Sequence, residues 1–376
     1  MQVYADNAAT TRMSDKAVAA MTPYFQQFYG NPSSLHTVGQ QAAEALADAR
    51  RRVADCLGCS FKEITFTSGG SEADNQAIVS AARIGERKGK KHIISTAFEH
   101  HAALHTLKKL EKEGFEVELL PVGTTGTITP EQVAAAIRPD TALVTIMYAN
   151  NEIGSILPIA EIGAVCRERG VLFHTDAVQA FGKLPLKPAA IGVDLMTVSS
   201  HKIHGPKGVG ALYVKKGVRL SPIVFGGLQE EKLRPGTQPM PAIAGFGAAA
   251  AALPNLAAEL KEVTELRDYM RDRLLALGGV VINSPEDALP YVTNISVLGI
   301  NSEPMLNFLS SRGVYVSSGS ACSKGHQSSV LKNMGLSDEV RKSPLRISFS
   351  RFTTKEEIDM LIDGIAEGQK TIRKNK

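Results

Sequence analysis

The chain has 376 residues, 43% of them hydrophobic and 21% charged, with a formal net charge of +4. That length suits two domains of unequal size, and so even a charge balance gives no electrostatic case for nucleic acid as the main ligand. Four cysteines do not make a disulfide framework, so any cysteine that matters acts as a thiol in a reducing compartment; with no secretory pattern at the start and no apolar run of bilayer length, the expectation is a cytoplasmic protein without a membrane.

The first element expected is a strand over Glu63–Thr67, followed by Thr67-Ser68-Gly69-Gly70-Ser71-Glu72 at the start of a helix. Two glycines there let the backbone approach an anion, and helix N–H groups would point at it. Ser71 adds a hydroxyl. The same residues read equally well as an N-cap and tight turn. No Gly-Lys-Ser/Thr follows, which argues against a nucleoside triphosphate. A strand over His92–Ser95 leads to Phe98-Glu99-His100-His101, where His100 could stack on a ring or move protons. His101 and His105 stand four apart on an expected helix but lack the other ligands of a zinc protease, so no metal site is expected.

Further strands are expected over Val117–Leu120, Leu143–Met147, Val171–Thr175, Leu195–Ser199 and Gly210–Val214, with helices at Glu131–Ile137 and Ile159–Glu168 between them. Strands apolar at almost every position are buried on both faces. Alternation with helices implies a mostly parallel sheet, whose ligands bind beyond the carboxyl ends of its strands. Two such ends carry chemistry. Asp176 follows Thr175, with Gln179 three residues on; it could hold a protonated ring nitrogen or simply cap the next helix. Lys202 follows Val198-Ser199-Ser200-His201; desolvated there, its amine would become a nucleophile. Lys207, in Gly-Pro-Lys-Gly, is the rival and suits an exposed turn.

Gly226–Pro241 is expected to be a long loop. After about residue 245 the pattern changes to a helix over Asn255–Ala276 and strands over Val280–Ile282, Asn294–Val297 and Leu345–Ser348. Cys322 lies in Ser317-Ser318-Gly319-Ser320-Ala321-Cys322, beside Lys324 and His326, which favour a thiolate. Cys56 and Cys59 form a single CxxC at a helix end and suit packing; Cys166 suits the core. Arg346, within the last strand, offers a fork that matches a carboxylate, or is a surface strand residue.

Together these pieces resemble the fold-type I pyridoxal-phosphate enzymes, of which the order cradle, His, Asp with Gln, Lys, Arg is typical. More narrowly the chain resembles the class V branch and, within it, the cysteine desulfurases of the first, NifS-like group. The similarity covers nearly the whole chain and includes Tyr4-Ala5-Asp6-Asn7-Ala8-Ala9-Thr10-Thr11, Gly30-Asn31-Pro32-Ser33-Ser34, Asn150-Asn151-Glu152-Ile153-Gly154, Arg234-Pro235-Gly236-Thr237 and the run ending in Cys322. It implies an α/β fold: a large domain of residues 16–249 around a mainly parallel seven-stranded sheet, and a smaller α+β domain from 1–15 and 250–376.

The resemblance further implies that Lys202 holds pyridoxal 5'-phosphate, Asp176 pairs with its ring nitrogen, Gln179 bonds its ring hydroxyl and His100 stacks over it. Gly70, Ser71, Ser199 and His201 would hold the phosphate, with Thr237 reaching it from the partner subunit of a homodimer. Asn151 and Arg346 would bind the substrate carboxylate. L-cysteine would be converted to L-alanine, its sulfur passing as a persulfide on Cys322 to acceptor proteins of iron–sulfur assembly or tRNA thiolation. A class V aminotransferase, a selenocysteine lyase or a catalytically silent scaffold would use the same fold. Ser71 stands where many relatives have Thr and Gly70 where many have Ala, changes compatible with phosphate binding. The stretch from Cys322 to Val330-Leu331 is slightly shorter than in the housekeeping members, which bears on the acceptor served.

Overall fold

Near-continuous apolar runs in the middle of the chain form one seven-stranded sheet, seen in a computed structural model that describes residues 2–319 and 328–373. Its strands are β2 (Ile64–Thr67), β3 (His92–Thr96), β4 (Glu116–Leu120), β5 (Thr141–Thr145), β6 (Leu172–Asp176), β7 (Leu195–Ser199) and β8 (Gly210–Val214). The spatial order is β2-β8-β7-β6-β5-β3-β4, parallel from β4 to β7, with β8 antiparallel to both neighbours. β3, β5 and β7 are buried at every position. That is the signature of a sheet covered on both faces, and the expected fold class is the one observed.

The expected strand at 143–147 begins and ends two residues earlier. Buried Glu99 accepts the Met147 N–H at 3.0 and 2.9 Å, which takes that residue out of the ladder. The helix expected from Asn255 runs over Leu256–Ala276, and Asn255 caps it by accepting from Ala257 and Ala258 N–H groups. The loop after Gly226 is not featureless. A short turn at Gln229–Lys232 holds Glu230, Glu231 and Lys232 at φ 47°, 54° and 70°. These left-handed values are unfavourable for non-glycine residues. They are held by the buried Glu230 carboxylate, which grips Arg50 at 2.6 and 2.7 Å and the Phe66 N–H at 2.9 Å.

Two smaller sheets stand beside the large one. β9 (Val280–Ile282), β10 (Val292–Val297) and β12 (Pro344–Ser348) form an antiparallel trio. β1 (Val3–Tyr4) pairs in parallel with β11 (Val314–Tyr315). The N-terminal segment then crosses β12, with Asp6 bridging Ser348 and the Ala8 N–H donating to Ser348 Oγ at 2.8 Å. It continues onto the loop after β7, where Thr11 N–H donates to His201 O at 3.0 Å.

Candidate active site

β2 delivers the chain to Gly69, whose φ of 154° with ψ of −178° belongs to glycine, and the helix Gly70–Glu86 starts there. Ser68 does not cap the helix; its N–H donates to the Glu72 carboxylate at 3.0 Å. Gly210 on β8 presses against this turn: a Cβ there would lie 2.8 Å from the Gly69 carbonyl carbon. The first residue of a 17-residue helix thus has no side chain and packs against Thr197 and Ser199 of β7. Ser199 Oγ, at the end of β7, is buried and has no hydrogen-bond partner. Thr10, Gly70, Ser71, Ser199, His201 and Lys207 line an open chamber of about 410 Å³. It joins a deeper cavity of about 240 Å³ through Gly70, Ser71, Ser199 and His201.

The deeper cavity is walled by Asp176, Gln179, His100, Lys202, Asn151 and Arg346 as well as Gly70, Ser71, Ser199 and His201, so ten of the residues singled out in the sequence meet there. Asp176 ends β6 and is buried; its Oδ1 accepts the Val178 N–H at 2.9 Å in a turn, and no helix starts there for it to cap. Burial raises its pKa, while His100, the Val178 N–H and Lys202 pull it back. His100 caps the helix His101–Lys112 with Nδ1, accepting from the Ala102 N–H at 3.1 Å. In the neutral ring the proton therefore sits on Nε2. Burial lowers the His100 pKa and favours that neutral form.

Lys202 follows β7 by three residues, in the short turn Ser200–Lys202. Its Nζ donates to the carbonyls of Ala8 and Ala9, the latter at 2.9 Å. Burial, then Lys183 and Arg346, push the amine down to about 7, against Asp176 and Asp6. An amine in this state is about half neutral near pH 7, and so available as a base and nucleophile. Lys207 is exposed and lines only the outer chamber.

Arg346 is not a surface residue: it is 1% exposed. Nη1 donates to Asn151 O at 3.0 Å, Nη2 to Asp6 Oδ1 at 2.7 Å, and buried Nε has no partner. Gln179 donates through Nε2 to Ala8 O at 3.0 Å and accepts at Oε1 from Lys183 at 3.3 Å. Thr237 is exposed and does not line the cavity of its own chain. Cys322 lies outside the described residues. Ser317, five positions before it, exchanges backbone hydrogen bonds with Arg346 at 2.6 and 3.2 Å.

Sequence reasoning missed Asp74. It lies one turn after Gly70 on the same helix face, is 1% exposed and lines the cavity with Oδ1 unpartnered. Burial and then Asp176 raise its carboxyl well above the usual range. The spacing Gly70 to Asp74 was the available signal. Asp74, His100 and Asp176 each bring a potential ligand atom within 4.8 Å of the others, while His100 Nδ1 and Asp176 Oδ1 accept backbone N–H groups. Cys56 and Cys59 are partly buried, pushed up by burial to about 11 and about 12, and bond to the carbonyls of Ala250 and Ala54. Cys166 is core.

The donor set fits pyridoxal phosphate. A glycine helix start beside the orphan Ser199 hydroxyl suits a phosphate; the buried Asp176 carboxyl near a histidine that burial keeps neutral suits a protonated aromatic nitrogen; and an amine held low suits an aldehyde carbon.

Comparison with known proteins agrees with this chemistry. The chain is 42% identical over 369 residues to "Cysteine desulfurase IscS" of Methanosarcina thermophila, covering 97% of this chain and 91% of that one. A solved NifS-like protein superposes with a TM-score of 0.92 at 37% identity, over 98% of this chain and 99% of the other. A structure described as SspA in complex with cysteine matches with a TM-score of 0.84 at 35% identity, over 94% and 100% of the two chains. The aminotransferase class-V profile matches residues 3–361. With a site of this composition and matches of this extent, the chain belongs to the aminotransferase class-V family.

Proposed function

We propose that the chain is a pyridoxal-phosphate-dependent cysteine desulfurase that converts L-cysteine to L-alanine and carries off the sulfur on Cys322. The observation that carries this reading is Lys202: a partly buried amine, held at about 7 and fixed by two backbone carbonyls, at the end of a parallel strand beside Asp176. Relatives named cysteine desulfurase cover nearly the whole chain.

Lys202 would attach the cofactor, Gly70, Ser71, Ser199 and His201 its phosphate, Asp176 its ring nitrogen and His100 its ring face, with Gln179 at the ring hydroxyl. When bound, the group supplies a carbonyl carbon for the substrate amine and an electron sink for the charge left when the Cα proton departs. Lys202 Nζ takes that proton, which it does only when neutral, above about pH 7. Arg346, with Nε unpartnered, and Asn151 orient the substrate carboxylate. The Cys322 thiolate attacks the substrate sulfur; the C–S bond breaks and an S–S bond forms. L-cysteine plus protein thiol gives L-alanine plus protein persulfide, so no outside oxidant is needed. The persulfide then passes to acceptor proteins of iron–sulfur assembly or tRNA thiolation in the cytoplasm.

The working unit in this reading is a homodimer. Phe225 and Leu228, twelve and nine residues before Thr237, are 84% and 74% exposed, and exposed apolar side chains in one segment suit burial against a second copy. That arrangement would bring Thr237 to the partner's phosphate. Incubation with pyridoxal phosphate and L-cysteine should release alanine and add one sulfur to the Cys322 peptide. Amino transfer to an α-keto acid with no sulfur on Cys322 would mark an aminotransferase instead.

A further inference from the structure

A further, small cavity of about 20 Å³ shares Lys202 with the site and has Lys183, Glu259 and Tyr291 in its wall. Lys183 is 7% exposed. Its Nζ donates to Gln179 Oε1 at 3.3 Å and stands over the Tyr291 ring at 5.4 Å. Tyr291 OH donates to Glu259 Oε1 at 2.6 Å, and Glu259 Oε2, also buried, has no partner. A lysine buried without a direct carboxylate contact is costly to fold around, and a core needs no such residue.

We propose that Lys183 is a positioning residue of the reaction: it fixes the Gln179 amide and sets a positive charge beside the Lys202 amine. Gln179 has its two ends fixed from opposite sides, Oε1 by Lys183 and Nε2 by Ala8 O at 3.0 Å, which defines the amide orientation presented to the cavity. Lys202 feels Lys183 and Arg346 as cations and Asp176 and Asp6 as anions, with His100 and His201 also within its field. Lys183 is itself lowered to about 8 by burial, with Glu259 restoring and Arg346 opposing its charge, and it lies in the field of His201 and His204. It therefore keeps its charge below about 8, through the range in which Lys202, at about 7, must give up its own. Tyr291, bonded to Glu259 on the helix Leu256–Ala276, packs its ring beneath the Lys183 ammonium.

The inference rests on the proposed function only in taking Lys202 as the reactive amine. Its test is labelling of the full-length, cofactor-free protein with acetic anhydride across pH, reading the Lys202 peptide by mass spectrometry. The wild-type midpoint is expected near 7. Lys183→Met and Lys183→Gln should each raise it by about one unit, as removal of one nearby like charge does, whereas Lys183→Arg should leave it in place. In the loaded protein Lys183→Met should move the visible absorption maximum. Lys183→Gln, which keeps an amide donor for Gln179 and tests the charge should the Met variant fail to fold, should not. Unchanged midpoints in the neutral variants overturn the inference alone. A wild-type midpoint near about 10, the ordinary lysine value, overturns it together with the role given to Lys202.

Discussion

Asp176 and Lys202 stand at the ends of adjacent parallel strands of one sheet, while Arg346 reaches the same cavity from a different sheet, braced by Asp6 across 340 residues of chain. The first wall is local. A rigid sheet buried on both faces sets its strand ends, and the chemistry follows from what those ends carry. The second wall exists only when the N-terminal segment, β10 and β12 have all docked, because Asp6, Asn151 and Arg346 hold one another. Lys202 belongs to both: its strand is in the sheet, but the carbonyls that hold its amine are those of Ala8 and Ala9. Cofactor attachment should thus depend on the sheet wall, and substrate capture on the docked wall.

The largest effect is expected at the sheet wall. Lys202→Ala should lower turnover about 10⁴-fold, the upper range for losing a positioned base and nucleophile, and should abolish covalent cofactor attachment; steady-state sulfide release and the visible spectrum check it. Asp176→Asn should come next, with turnover down by about 10²-fold or more and cofactor still attached. In the wild-type protein, turnover should fall below about pH 7 as Lys202 gains a proton, and rise above it, since the neutral amine is the active form.

On the docked wall, Arg346→Lys replaces a fork by a point charge. It should cost about 2 kcal/mol, roughly a 30-fold fall in kcat/KM for L-cysteine, carried mainly by KM, with cofactor attachment intact. Equal loss of attachment in Arg346→Lys would break the distinction between the walls. Ser199→Ala is the smallest change. It should weaken cofactor affinity about tenfold, one hydrogen bond to a charged group, without lowering the melting temperature of the cofactor-free protein, because Ser199 Oγ has no protein partner to lose.

What was legible in the sequence follows the same divide. The seven strands of the large sheet read from apolar runs, and Asp176, Lys202 and His100 from their places just beyond strand ends. The two-residue strands β1 and β11 have no period to detect. The burial of Arg346 was invisible because its partners are distant in sequence, and nothing local marks Ala8 and Ala9 as the carbonyls that fix Lys202. The early end of β5 came from a side chain, Glu99, taking a backbone N–H. Nothing local marks Lys183 either, because its burial depends on Tyr291 and Glu259 from distant segments.

Reduction of the pyridoxal-phosphate-loaded protein with borohydride, followed by peptide mass spectrometry, tests the central claim most directly. The reduced cofactor should be found on Lys202. Finding it on Lys207 or Lys183, or on no lysine, would contradict the assignment of the reactive amine to the end of β7.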